Sequence, residues 1–533
     1  MKLGVASILW MAACWLGVGV WGAAQATPAP LFRFEARPGP YPVGLQVVEQ
    51  YDHSRVYRHS TDALGRPYRG ERARPLQTLI WYPAERSQAK AMTLADYMSL
   101  WAAETNFGDP KTPYQAKEWR SSMSAYLSQS LRAVRDAPMA AGRFHAVIYS
   151  PGQSDPSWDN ADLCEYLASF GYVVVASPSI GATSRGMTAD LAGANAGAAD
   201  ITFLVQYVQT LHNVNSSGIA VIGHSWGGIA GLFAAARDSR ISALVALDGA
   251  MRYFPGLLEL AEVHPERLSI PFLFFMQGDY SVELRESCTV GENKCWFSSD
   301  GEASLRGEPR ESGVFKSWTH GDLIVAHMLG MPHAGLSSMW QRHEDYWSDW
   351  KGSPGDYNRE DAIKGYPWVA SYTLKFLQAY LNHDAAAMEF LRASAAANGV
   401  PAHYMAVSYR RAAPAALSFD DFRAETGQRG FEHVAGVYEE FRKRDPGFLI
   451  DGNAMLDWAD ELLSDDHLSE GIAVLNLDIQ MHPDSGNAYG RLARAYVMSG
   501  QKQSAISTYQ RALTRDPSNR AAKKGMEDLA ESH

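Results

Sequence analysis

From about Val43 to Asp384 the chain alternates short, continuous apolar runs with longer segments whose apolar positions recur at helical spacing. The runs Gly44–Glu49, Leu76–Trp81, His145–Tyr149, Tyr172–Ala176, Ile219–Ile222, Ala243–Leu247, Pro271–Met276 and Leu323–Met328 predict strands. Several lack any polar alternation, which suits strands covered on both faces. Asn160–Phe170, Ala198–Leu211 and Gly228–Ala236 predict the intervening helices, and a long helix near Pro367–Leu381 closes the region. This order predicts an α/β domain over residues 27–384, with a mostly parallel eight-stranded sheet flanked by helices.

Two insertions break the rhythm. Glu85–Gly142 is rich in Met, Trp and Tyr and reads as helical, either a cap over an active site or extra packing on the sheet edge. Ser281–Gly321 is polar and glycine-containing and reads as a long loop, a kind that in compact domains is usually functional or mobile.

Residues 385–427 are alanine-rich and poorly periodic, and read as a connecting region. From 428 to 533 the sequence repeats. Met455, Trp458, Ala459, Leu475 and Pro483 recur thirty-four positions on as Tyr489, Leu492, Ala493, Tyr509 and Pro517. Small residues let paired helices approach, large ones fill the space between pairs, and the prolines stop the second helices. The pattern resembles the tetratricopeptide repeat, with a capping helix to Leu529 and a degenerate unit around Phe431–Pro446. Such repeats imply either a groove for a protein or peptide partner or a folded appendage.

The first residues belong to targeting. Lys2, the apolar Leu3–Val20 and Ala24-Gln25-Ala26 have the layout of a secretory signal peptide, residues 1–26, placing the product in the periplasm or outside the cell. An uncleaved anchor and a lipid-modified Cys14 are the alternatives. No later segment is apolar enough to span a bilayer. In an oxidising compartment Cys288 and Cys295 are a disulfide candidate, whereas Cys164, on an apolar helix, reads as a buried thiol. The net charge of −11, with scattered Lys and Arg, excludes nucleic acid as the natural partner.

The chemistry is concentrated in Ile219-Ala-Val-Ile-Gly223-His-Ser225-Trp-Gly227-Gly228. A buried strand precedes this G-x-S-x-G and an apolar helix follows, the setting in which a strained turn lifts the serine above the sheet edge. Serine needs a base held by a third group, and in this architecture the order is serine, acid, histidine. His333, in the loop after the last predicted strand, is the candidate base, with His320 and His327 as rivals. Asp248 and Asp279 each end a strand and compete for the acid. The cost of burying an aspartate at so apolar a strand end favours Asp248. Backbone N–H groups of Trp226 and Gln153, the latter beside Gly152, are the candidate oxyanion donors.

The segment Val147–Ile180, the elbow, Asp248, His333 and Trp81-Tyr82-Pro83 together resemble the platelet-activating-factor acetylhydrolase and dienelactone-hydrolase-related branch of the α/β-hydrolases. The resemblance implies Asp248 as acid and His333 as base. Ser150-Pro151 departs from it where a His-Gly pair is common. It also implies a serine hydrolase of small carboxylic esters, since a dienelactone hydrolase proper uses cysteine. An amidase with the same residues and a non-catalytic scaffold using the repeats are the rival readings. No metal or organic cofactor is called for, because no His, Cys and Asp cluster has metal-ligand spacing along the sequence.

Overall fold

The structure is a computed structural model, described over residues 31–113, 115–278, 313–350, 357–414 and 417–531. The chain divides into two compact units, the first comprising most of the chain to Arg411 and the second mainly Ala412–His533.

The first unit is built on one sheet whose central strands carry the apolar runs. β1 (Val43–Val56), β2 (Ala73–Pro83), β3 (Ala133–Arg135), β4 (Phe144–Ser150), β5 (Tyr172–Ala176), β6 (Val214–His224), β7 (Ile241–Leu247), β8 (Phe272–Met276), β9 (Leu323–Met328) and β10 (Met405–Arg410) lie in the order β10-β9-β8-β7-β6-β4-β5-β2-β1-β3. The block β5-β4-β6-β7-β8-β9 is wholly parallel, with β2 and β10 antiparallel at its two sides. β5, β8 and β9 are buried at every position, as continuous apolar runs require. This is the α/β-hydrolase arrangement expected from the sequence, with ten strands among the described residues rather than eight.

The two added strands sit at the edges. β3 lies inside the 85–142 insertion and pairs with β1. β10 lies in the segment read as a connection, and its six residues pair with the whole of β9. The sheet domain therefore runs to Arg411 rather than stopping at 384.

Five helices matter for the site. α1 (Leu94–Leu100) and α2 (Gln115–Ser122) belong to the insertion, and α3 (Ala161–Ser169), α4 (Leu191–Gln209) and α5 (Trp226–Ala235) to the layers against the sheet. α5 is buried at all ten positions, so it is apolar on every side. A Cβ added at Gly197 of α4 would lie 2.9 Å from the Ala230 side chain of α5, so a glycine is needed for that close approach. The last long helix, Arg359–Tyr380, starts earlier than the predicted Pro367: Asn358 and Asp361 form a capping box, and Pro367 lies inside the helix.

The loop after β9 is tied to α3 by a buried ion pair. Arg342 donates to both oxygens of Asp162, at 2.6 and 3.0 Å, and its guanidinium lies over the Phe32 ring. Breaking such a pair leaves an uncompensated buried charge, at a cost of about 3–5 kcal/mol. Arg342→Met is therefore expected to lower unfolding free energy by about that amount in urea titration, and adding Asp162→Leu should restore part of it.

The second unit is all helical between Phe419 and Glu531. Helices Gly452–Ser464 and Leu468–Met481 recur thirty-four positions on as Gly486–Met498 and Lys502–Arg515 (452 to 486, 468 to 502). The repeating positions are its core: Met455, Trp458, Ala459, Leu475, Tyr489, Leu492, Ala493 and Tyr509 are all buried. A further pair, Phe419–Arg429 and Val434–Arg444, precedes them, so the helical region begins inside the stretch read as a connection.

Candidate active site

Ser225 stands between β6 and α5 with φ 52° and ψ −116°, a conformation costly for a residue with a side chain. Two glycines permit it. A Cβ at Gly223 would lie 2.3 Å from the Gly227 backbone, and one at Gly227 would lie 2.0 Å from the Ser150 carbonyl oxygen. The turn is held by Ser225 N–H donating to the Leu247 carbonyl at 3.0 Å, and by the Gly228 and Ala250 N–H groups donating to the Ser225 carbonyl. The hydroxyl is thus fixed at the first turn of a helix, whose leading N–H groups have no partner within the helix.

His333 opens a short helical turn after β9, and its Nε2 lies 2.8 Å from Ser225 Oγ. Its Nδ1 lies 2.6 Å from Asp248 Oδ2. Asp248 follows β7 at φ 47° and is fully buried. Its carboxylate also accepts from the Tyr253 hydroxyl at 2.9 Å and from the Gln277 N–H at 3.4 Å, and Arg252 stands 3.8 Å away. Burial alone would raise its pKa. The Arg252 guanidinium, His333 and Tyr253 outweigh that and hold the carboxyl below its ordinary range.

Of the sequence candidates, the structure brings Ser225, Asp248 and His333 into one hydrogen-bonded line. His320 is elsewhere engaged, with Nδ1 on the Pro414 carbonyl, and His327 is buried within β9. Asp279, Cys288 and Cys295 lie outside the described residues. Cys164 is a buried free thiol, its pKa pushed well up by burial.

The loop after β4 packs directly on the elbow, since both the Ser150 and Pro151 carbonyls lie against Gly227. Gln153 is exposed there, and its side-chain amide donates to the Met187 carbonyl at 2.9 Å. Trp226 is the first residue of α5, and its ring is buried edge-on to Phe254. Gln153 also lines a cleft of about 490 Å³ with Trp101, Trp119, Asp155, Arg185 and Trp340. The 85–142 insertion therefore serves in two ways, adding β3 to the sheet edge and supplying Trp101 and Trp119 to this cleft.

Two residues that sequence reasoning passed over complete the site. Gln277 accepts the His333 N–H at 3.0 Å through Oε1 and donates to the Tyr253 hydroxyl at 2.5 Å. Asn160 donates to the Leu336 carbonyl and accepts from Ser338 N–H, pinning the segment that carries His333. Gln277 stands two residues before Asp279, in the Gln-Gly-Asp stretch already singled out for its aspartate. The apolar sequence around Asn160 holds no comparable signal.

No known protein-family profile matches the chain, and no curated protein matches it. Among solved structures the chain is similar to a ferulic acid esterase from Streptomyces cinnamoneus, 18% identical, with a TM-score of 0.47 over 70% of this chain and 98% of that one.

Proposed function

We propose that the chain is an exported serine hydrolase that cleaves carboxylic esters through an acyl-enzyme on Ser225. The observation that carries the reading is the continuous contact from Ser225 Oγ through His333 to Asp248, with the serine on a strained elbow. His333 Nε2 takes the serine proton as the hydroxyl attacks the ester carbonyl, then returns it to the departing alcohol. The buried Asp248 carboxylate holds the Nδ1–H tautomer and steadies the imidazolium. The N–H groups of Trp226 and Gln153 receive the oxyanion, and the Gln153 contact to Met187 supports a fixed donor loop. The elbow and the acid position support the acetylhydrolase-related branch within the serine hydrolases.

Hydrolysis of p-nitrophenyl esters of graded acyl length, set beside the matching anilides, tests this class. Ester turnover should exceed anilide turnover by at least about 10²-fold. Faster anilide cleavage would point instead to an amidase.

Export rests on the Ala24-Gln25-Ala26 motif. N-terminal sequencing of protein recovered from the periplasm or medium should read from Thr27. An intact Met1 or a lipid-bearing Cys14 would contradict it.

A further inference from the structure

Behind the catalytic line lies a second cluster, made by Asp155 and Asp159 of the loop after β4 and by His224 at the end of β6. All three side chains are buried, with 8%, 0% and 2% exposure, and one ligand atom from each lies within 4.8 Å of the others. His224 Nε2 faces the His333 carbonyl at 3.4 Å. A carbonyl can only accept, so Nε2 carries the hydrogen and Nδ1 of the neutral ring presents a lone pair. That lone pair is directed at two carboxylates. Among the described residues neither His224 Nδ1 nor Asp159 Oδ1 has a hydrogen-bond partner. Trp340 Nε1 donates to Asp155 Oδ2 at 3.3 Å, and two carboxylates gathered with an imidazole lone pair in a buried site call for a shared proton or a cation among them.

The spacing weighs against a direct imidazolium–carboxylate pair and fits a metal. His224 Nδ1 stands 3.5 Å from Asp159 Oδ2. That is too long for a charge-assisted N–H···O bond, which measures about 2.7–2.9 Å. It matches two ligands on one tetrahedral ion, which at bond lengths of about 2.0–2.2 Å stand roughly 3.3–3.6 Å apart. The ring is also oriented as metal-bound histidines are, with its other N–H given to a backbone carbonyl. The glycine at 152 leaves open the space beside Asp155 Oδ2 and His224 Nδ1.

We propose that Asp155, Asp159 and His224 bind one divalent transition-metal ion, zinc by their mixed nitrogen and oxygen donors, as a structural site. The ion joins the three segments that carry the catalytic groups. Asp159 accepts the Gly152 N–H at 3.4 Å, and its carbonyl accepts from Met339 N–H and Ser337 Oγ in the segment that follows His333. His224 adjoins Ser225. Asp155 lines the cleft beside Gln153 and Trp340, which supplies an entry path.

The test uses the mature full-length protein, stripped with a chelator and dialysed against zinc sulfate. Elemental analysis should find about one zinc per chain, and the thermal midpoint should rise by several degrees over the stripped protein. Asp155→Asn and Asp159→Asn should each weaken zinc binding by at least about a hundredfold. Zinc-edge X-ray absorption on the wild type should show one imidazole nitrogen with carboxylate oxygens. Failure of the wild type to retain zinc, with an unchanged midpoint, overturns the proposal in favour of a proton shared within the cluster. Zinc held equally well by both variants, or through sulfur or several imidazoles, overturns it as well.

Discussion

Ser225→Ala is expected to lower kcat for ester hydrolysis by about 10⁴–10⁶-fold while leaving the thermal midpoint within a few degrees of wild type. The alanine keeps the backbone strain at φ 52° and removes only the hydroxyl, which contacts His333 Nε2. Nothing that holds the elbow is lost, because its hydrogen bonds run through backbone groups of Ser225, Leu247, Gly228 and Ala250. Any rate that persists should come from binding and the oxyanion donors alone. Steady-state kinetics paired with a melting curve checks both halves. A variant retaining a tenth of the activity would remove Ser225 from the nucleophile's role.

Asp248→Asn is expected to cost on the order of 10⁴ in kcat. The amide can donate to His333 Nδ1, which stabilises the tautomer with its hydrogen on Nε2, and that ring cannot take the serine proton. Asp279→Asn, measured alongside on one ester, should stay within about tenfold of wild type. The pH dependence has a definite sign. Because the folded pKa of Asp248 is held below its ordinary value of 3.8, the ionised carboxylate contributes stability above that value. The contribution is lost only as pH falls through the lower folded value. Activity lost between neutrality and about pH 5 is therefore not due to protonation of Asp248.

The sequence resolved the fold best where burial is two-sided. Tyr172–Ala176 and Leu323–Met328 were read to the residue because a strand covered on both faces has no polar alternation to obscure it. β10 escaped for the opposite reason: only Met405 of its six residues is fully buried, so Met405–Arg410 carries no apolar run. β3 is only three residues long and its partner is far away in sequence.

The site divides in the same way. The elbow was legible because strand, strained turn and helix are contiguous, and the glycines that permit the turn lie within two residues of Ser225. The choices between Asp248 and Asp279, and between His333 and His320, depend on where loops from separate strands arrive. Local pattern does not encode that. The cluster of Asp155, Asp159 and His224 was invisible for the same reason, since β4 and β6 become neighbours only in the sheet.

The central claim, that Ser225 is the nucleophile activated by His333, is tested most directly by covalent capture. The wild-type protein, Ser225→Ala and His333→Ala are treated with a fluorophosphonate, digested and mapped by mass spectrometry. The account predicts one phosphonyl adduct per chain on the peptide containing Ser225, none on Ser225→Ala, and labelling slowed by at least about 10³-fold in His333→Ala. An adduct on another serine, or a wild-type chain left unlabelled, would contradict it.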